Sequence, residues 1–227
     1  MDNQGTGGLV SDAIGAISRH IRDNDLMPGD RLPSEASLSK ELNVSRTVVR
    51  EAFRSLAAMR IIDLATGKRA AVAAIDPAAM SLMIEHGVHT DQINVQQIYD
   101  VRRTIETRIV TLAAIRRSDA EGADLLALAH AMQHAVDDPA RLMELDLSFH
   151  LLLARASRNP VYTLIIGAFQ GITRQTWPIG WKSRPTVASR ALMLATHGDI
   201  ARAVAASDPQ RRWRRCRSIL TKACGPC

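Results

Sequence analysis

The chain has 227 residues, enough for one large or two ordinary domains, and its 46% hydrophobic fraction can fill a core in each. No apolar run approaches the ~20 residues that span a bilayer, and the opening MDNQGTGGLVSDAI lacks the basic-then-apolar order of a secretory leader, so a soluble cytoplasmic protein without a membrane partner is expected. Cys216, Cys224 and Cys227 all fall in the last twelve residues, which excludes a disulfide framework; the net charge of +6 gathers there too, with six basic residues from Asp208 onward against one acid, while a smaller basic cluster lies between Arg46 and Arg69.

Aromatic residues make up 4% of the chain, and the Ala, Leu, Ile and Val that dominate its hydrophobic set recur mostly at spacings of three and four, which predicts a mainly helical protein. Ile14, Ile17 and Ile21 mark a first helix that ends before the Pro28-Gly29 turn. The next segment, LPSEASLSKELNVSRTVVREAFRSLAAMRII, reads as two helices with a tight break. Ser34 caps the first, with Leu38 and Leu42 inward and Asn43 at its end; Ser45 caps the second, with Val48, Val49, Ala52, Phe53 and Leu56 as its buried stripe. This is the spacing of a helix-turn-helix, whose second helix enters the major groove N-terminus first. Arg46 and Arg50, one turn apart and off the apolar stripe, then face DNA as phosphate clamps or guanine readers, and Ser45 and Thr47 meet backbone phosphates. IIDLATGKRAAVAAI alternates around Gly67 as a two-stranded ribbon would, with Lys68 and Arg69 at its tip.

These residues carry a resemblance. LMPGDRLPSEASLSKELNVSRTVVREAFRSLAAMRIIDLATGKRAAV is similar to the winged helix-turn-helix of GntR-type transcriptional regulators. The resemblance implies operator contacts from Ser45, Arg46, Thr47 and Arg50 on the recognition helix and from Thr66, Gly67 and Lys68 in the wing. Ala36 and Arg69 depart from the family pattern, where an arginine and a second wing glycine are frequent. Residues 1–74 are therefore expected to form the DNA-binding domain.

Residues 75–95 read as a linker with one short helix, and 96–222 as an all-α bundle of six or seven helices broken at RRSDAEG, DDPA, SRNP, PIGWKSRPT and SDPQ, with 223–227 as a tail. Within ELDLSFH, Asp146 and His150 share a helix face amid core residues, as a hydrogen-bonded pair or as half of a metal site. IYDVRRTIE, LDLSFHLLLARASRNPV and the stretch from His197 to Asp208 resemble the effector domain of the FadR subfamily of GntR regulators. That resemblance implies a divalent metal on Asp146, His150 and His197, with zinc the first choice and manganese, nickel or iron(II) the others. A fourth ligand, a histidine in relatives, falls where this chain has Ile219. It further implies a small carboxylate effector such as a sugar acid or hydroxy acid, with Arg102, Arg174 and Trp181 toward the pocket. Arg103 and Trp177 read as surface or core packing, and His130 with His134 as an exposed pair unrelated to the site.

CGPC at 224–227 matches the dithiol of thioredoxin-like proteins but lacks the strand and helix that lower a thiol pKa, and the preceding RRWRRCRSIL puts Trp213, Cys216, Ile219 and Leu220 on one face of an ordinary last helix. The reading is thus a homodimeric, ligand-responsive regulator, a repressor by preference, on double-stranded palindromic operator DNA, and not an enzyme. The rival is a metal enzyme using Asp146, His150 and His197 as a facial triad, for which no nucleophile or general base is evident.

Overall fold

The computed structural model describes residues 3–65 and 67–206. The chain divides between Ala79 and Met80 into two compact units, each with its own core.

The first unit is a winged helix-turn-helix. Helix α1, Asn3–Asp23, lays Ala13 and Ile17 on α3. Helices α2, Glu35–Glu41, and α3, Arg46–Ala58, begin at Ser34 and Ser45, whose hydroxyls accept from the N–H groups of Ser37 and Val48. Between them Asn43 takes a left-handed φ of 52°, a conformation Asn tolerates better than most residues, and so turns the chain tightly. The buried stripe of α3 is the expected set Val48, Val49, Ala52, Phe53 and Leu56. Strands β1, Ile62–Asp63, and β2, Ala71–Val72, pair antiparallel with Ile62 opposite Val72, forming the small wing; Gly67 turns at φ 73°. Strand β2 also meets the earlier Gly29–Leu32 stretch, because the Gly29 N–H donates to the Val72 carbonyl and the Val72 N–H to the Asp30 carbonyl.

The second unit is all helical among the described residues. Helix α4 spans Ala78–His89, α5 Val95–Arg116, α6 Asp119–Gln133, α7 Pro139–Ala156, α8 Pro160–Lys182 and α9 Val187–Ala205. Capping boxes at Asn94 and Ser118 start α5 and α6, and Pro139 and Pro160 occupy the first turns of α7 and α8, where a missing N–H costs nothing. The core is aliphatic around Leu125, Met132, Leu142, Phe149 and Leu153. The segment 75–95, expected as a linker with one short helix, holds α4, and its Ile84, Val88 and Ile93 pack on Ile98, Phe169 and Ile172 of α5 and α8. Ile84 and Val88, one turn apart on α4, and Ile93 in the turn before α5 are too apolar to stay in water once such a face is available.

Candidate functional site

In the first unit Ser45, Arg46, Thr47 and Arg50 sit together on the exposed first turns of α3, and Gly67 and Lys68 are exposed in the wing. Thr66 lies outside the described residues. Ser45 spends its hydroxyl on the helix cap. Arg46 and Thr47 are open to solvent, whereas Arg50 makes a two-pronged pair with Glu35, Nη2 to Oε2 2.9 Å, that ties α2 to α3. Arg50 must therefore exchange a carboxylate for a phosphate or base if it is to contact DNA, a constraint that its spacing in the sequence does not reveal.

In the second unit α5, α7, α8 and α9 enclose a cavity of about 120 Å³. Four buried ionisable residues, Arg102, Glu106, Asp146 and His197, line it together with the partly buried His150. They persist because they satisfy one another. Arg102 Nε donates to Glu106 Oε1 at 2.7 Å and its Nη1 to Thr173 Oγ1 at 3.0 Å. The other oxygen of Glu106 lies 2.8 Å from His150 Nδ1. Asp146 Oδ1 lies 3.8 Å from His150 Nε2 and 3.0 Å from His197 Nε2, and His197 Nδ1 lies 2.9 Å from the Met193 carbonyl.

The partners assign the ring protons. A carbonyl and an ionised carboxylate accept but do not donate, so His197 and His150 each carry a proton on Nδ1. Both Nε2 atoms in the neutral rings then present lone pairs toward Asp146. The 3.0 Å approach of His197 to Asp146 is close but lacks hydrogen-bond direction, leaving His197 Nε2 buried without a hydrogen-bond partner. Proximity and direction disagree there, and direction prevails because the ring's one proton is already committed to Met193. Three donor atoms, Asp146 Oδ1, His150 Nε2 and His197 Nε2, thus converge within 4.8 Å of one another without a proton to share in the neutral state. An orphaned imidazole nitrogen facing a carboxylate is the chemistry of a cation site, with Glu106 and the Met193 carbonyl orienting the rings from behind.

The electrostatics agree. Burial would push the Glu106 carboxyl up, but the charges of Arg102 and His150 and the hydrogen bonds from both bring it down to about 2. Burial opposes ionisation of Asp146 as well, yet the closeness of His197, His150 and Arg102 holds it well below the usual carboxylate range. Burial would lower the pKa of His150, and the neighbouring Glu106 and Asp146 overcome this and raise it.

Other expectations separate here. Trp181 lines the cavity, stacked on Trp177 with centroids 5.2 Å apart. Trp177 and Arg103, expected to be ordinary packing or surface residues, line it too. Arg174 does not: it is exposed and paired two-pronged with Glu144, Nε to Oε1 2.8 Å, because its position on α8 faces outward. His130 and His134 are exposed on α6, apart from the cluster, with their Nε2 atoms 3.2 Å apart. Glu106 was missed as a site residue; its signal was an acid one turn after Arg102 on an otherwise apolar helix face. Ile219, Trp213, Cys216 and CGPC lie outside the described residues.

A winged helix-turn-helix followed in one chain by a helical unit with a polar, ligand-sized cavity defines a ligand-responsive DNA-binding regulator. The chain belongs to the GntR family of bacterial regulatory proteins, whose description matches residues 9–72, and its residues 97–222 match the FCD domain. It is 29% identical over 195 residues to the HTH-type transcriptional regulator LutR of Bacillus subtilis, covering 83% of this chain and 87% of that protein. It is 26% identical over 171 residues to the galactonate operon transcriptional repressor of Escherichia coli, covering 73% and 74%. Identity to the Escherichia coli transcriptional repressor NanR is 31% over 182 residues, covering 78% of this chain and 65% of NanR, just under two thirds of it. A Streptococcus agalactiae GntR structure shares the fold with a TM-score of 0.68 at 22% identity, covering 94% of this chain and 97% of the other. The family comprises DNA-binding regulators and not enzymes, which removes the facial-triad enzyme. FCD domains are known to bind metals and small-molecule effectors. Among the described residues no helix is long and apolar enough to cross a membrane.

Proposed function

We propose that this regulator is a repressor that binds a palindromic operator as a homodimer and is released by a small carboxylate effector held at a metal site in its helical unit. The observation that carries the metal is the convergence of Asp146 Oδ1, His150 Nε2 and His197 Nε2, with both Nδ1 atoms occupied from behind. One carboxylate and two imidazoles suit zinc first, and manganese, nickel or iron(II) as well. The metal would supply Lewis-acid anchorage for a carboxylate or hydroxyl oxygen. Arg102, held by Glu106 and Thr173, and Trp181 contribute a cation and an apolar wall to the same cavity.

On the DNA side, Arg46, Thr47 and Arg50 would meet the major groove, Ser45 the backbone at the helix start, and Thr66, Gly67 and Lys68 the neighbouring minor groove. A half-site has one recognition helix, so a palindrome calls for two copies of the chain. Effector binding would shift the population between DNA-binding and released arrangements, with α4 as the route, since it joins the first unit and packs on α8, which carries Thr173.

The test is metal analysis of the purified protein followed by operator mobility shift with sugar acids and hydroxy acids, with and without chelator. One metal per chain and effector release that disappears on chelation are expected. Release unchanged by chelation, or an Asp146→Asn variant that still holds stoichiometric metal, overturns the coordination reading.

A further inference from the structure

We infer that the cavity selects an acid of about four carbons whose chain carries a further alcohol hydroxyl, and that Thr196 of α9 is the residue that reads this hydroxyl. This deepens the effector reading above and rests on it for the acid end of the ligand.

Helix α9 turns Met193, Thr196, His197 and Ile200 toward the cavity, the three-and-four spacing of a single helix face. Thr196 is 7% exposed, and a threonine inside a helix commonly donates its hydroxyl to the carbonyl one turn back. Thr104, Thr107 and Thr111 of α5 and Thr176 of α8 do so, at 2.9 to 3.0 Å. Thr196 does not: its hydroxyl makes no hydrogen bond among the described residues. Nor is it sealed off. Among the described residues, the side-chain atoms shut away from solvent without a partner are Arg103 Nε and His197 Nε2, so Thr196 Oγ1 keeps accessible surface, and the space it borders is the cavity.

The other two hydroxyl-bearing residues of the lining are engaged. Thr173 Oγ1 accepts from Arg102 Nη1 at 3.0 Å. Thr176 gives its single proton to the Ile172 carbonyl, so Tyr99, whose oxygen lies 3.2 Å from Thr176 Oγ1, donates to it. Thr196 therefore offers the cavity a donor and an acceptor that are both unused. A carboxylate only accepts and an ammonium group only donates, whereas an alcohol answers both roles at once. The acid end of the ligand has its own place, at the metal cluster beside Arg102, and the stacked Trp177 and Trp181 give the C–H side of a carbon chain an apolar wall. Size sets the upper bound: about 120 Å³, at ~10–15 Å³ per water-sized site, holds roughly eight to twelve non-hydrogen atoms, which admits a four-carbon trihydroxy acid.

The test titrates three acids calorimetrically into the zinc-loaded full-length protein. D-erythronate and L-threonate carry hydroxyls on all three carbons beyond the carboxylate and differ only at the middle one; (R)-2-hydroxybutanoate keeps the same 2-hydroxy acid end and chain length without the other hydroxyls. At least one of the first two is expected to bind wild type about tenfold more tightly than (R)-2-hydroxybutanoate, the effect of one buried hydrogen bond made or left unmade. Thr196→Val, with a melting temperature no lower than wild type because no hydrogen bond is lost, is expected to remove that advantage and leave (R)-2-hydroxybutanoate untouched, and Thr196→Ser to restore most of it. No preference in wild type, binding of none of the three, a preference that survives Thr196→Val, or equal weakening of all three acids by that variant overturns the inference. Zinc stoichiometry, measured alongside, tells the two readings apart. A protein that takes no zinc but still prefers the trihydroxy acid through Thr196 sinks the coordination reading and keeps this one, whereas stoichiometric zinc with no preference does the reverse.

Discussion

Glu106 serves two donors at once, Arg102 through one oxygen and His150 through the other, and that double duty makes it the most exacting residue of the cluster. Glu106→Gln keeps the shape but presents one acceptor oxygen and an N–H₂ group that faces either a cation or an imidazole N–H. It should lower zinc affinity about 10–100-fold, the usual result of losing a carboxylate behind a metal-bound imidazole, as read by competition with a chromogenic chelator. It should also destabilise the protein by about 3–5 kcal/mol in denaturant unfolding, since Arg102 is left as a buried charge without its counter-ion. In the first unit, Arg46→Ala removes an exposed cation from the start of α3. Operator binding should weaken, by about 1–3 kcal/mol with relaxed preference at one base pair if Arg46 reads a base, or evenly across sequences with a salt slope lower by about 1 if it clamps a phosphate. Mobility shifts on specific and scrambled duplexes over a range of salt distinguish these, and full retention of operator binding would remove Arg46 from the interface. Helical spacing in the sequence points to Asp146 with His150, whereas His197 is indicated by the family pattern alone. Glu106 and Arg103 were not recognisable, because whether a polar residue beside an apolar stripe faces a cavity or water depends on the neighbouring helix.

Element starts were the most legible feature of the chain, because caps are local. Ser45 begins α3 with its hydroxyl accepting the Val48 N–H, so Ser45→Ala should cost about 1 kcal/mol in thermal unfolding of the first unit. Helix α6 begins with the reciprocal box of Ser118 and Glu121, and Glu121 also takes a two-pronged grip from Arg158 at the end of α7, Nη2 to Oε2 2.7 Å. Burial pushes the Glu121 carboxyl up, but the Ser118 N–H, Arg158 and the Ser118 hydroxyl together bring it below its ordinary value. A carboxyl depressed in the folded state stabilises the fold above its unfolded pKa of about 4.3, and that contribution fades as pH falls through the folded value. Glu121→Gln should therefore narrow the stability gap between neutral and acid pH, measured by urea midpoints across pH 7 to 3; an unchanged gap would show that the box contributes nothing through its charge. In the segment 75–95 only Ile84 and Val88 share a turn of α4, with Ile93 beyond it, too little to reveal a partner, and their place on Ile98, Phe169 and Ile172 depends on residues up to about ninety positions away.

Over the whole molecule, two units with separate cores bear different ligands, so a metal that binds the helical unit should stabilise that unit alone. At a free zinc concentration of one hundred times Kd the gain is about 2.7 kcal/mol, visible in calorimetry of the full chain as an upward shift of one component that chelator reverses. A uniform shift of the entire transition would mean that the two units unfold together. The sequence by itself determined the order of the parts: the cap and stripe pattern of the helix-turn-helix, the helical texture of the second unit and the Asp146–His150 pair all follow from contacts spanning a few residues, where side-chain spacing maps directly onto a helix face. Tertiary structure decided which of the candidates meet. It brings His197 of α9 to Asp146 of α7, sets Glu106 of α5 behind His150, turns Arg174 outward to Glu144 and places Arg103 at the cavity wall. Those outcomes depend on how helices far apart in sequence rotate against one another to bury their apolar stripes, and no local spacing encodes that rotation.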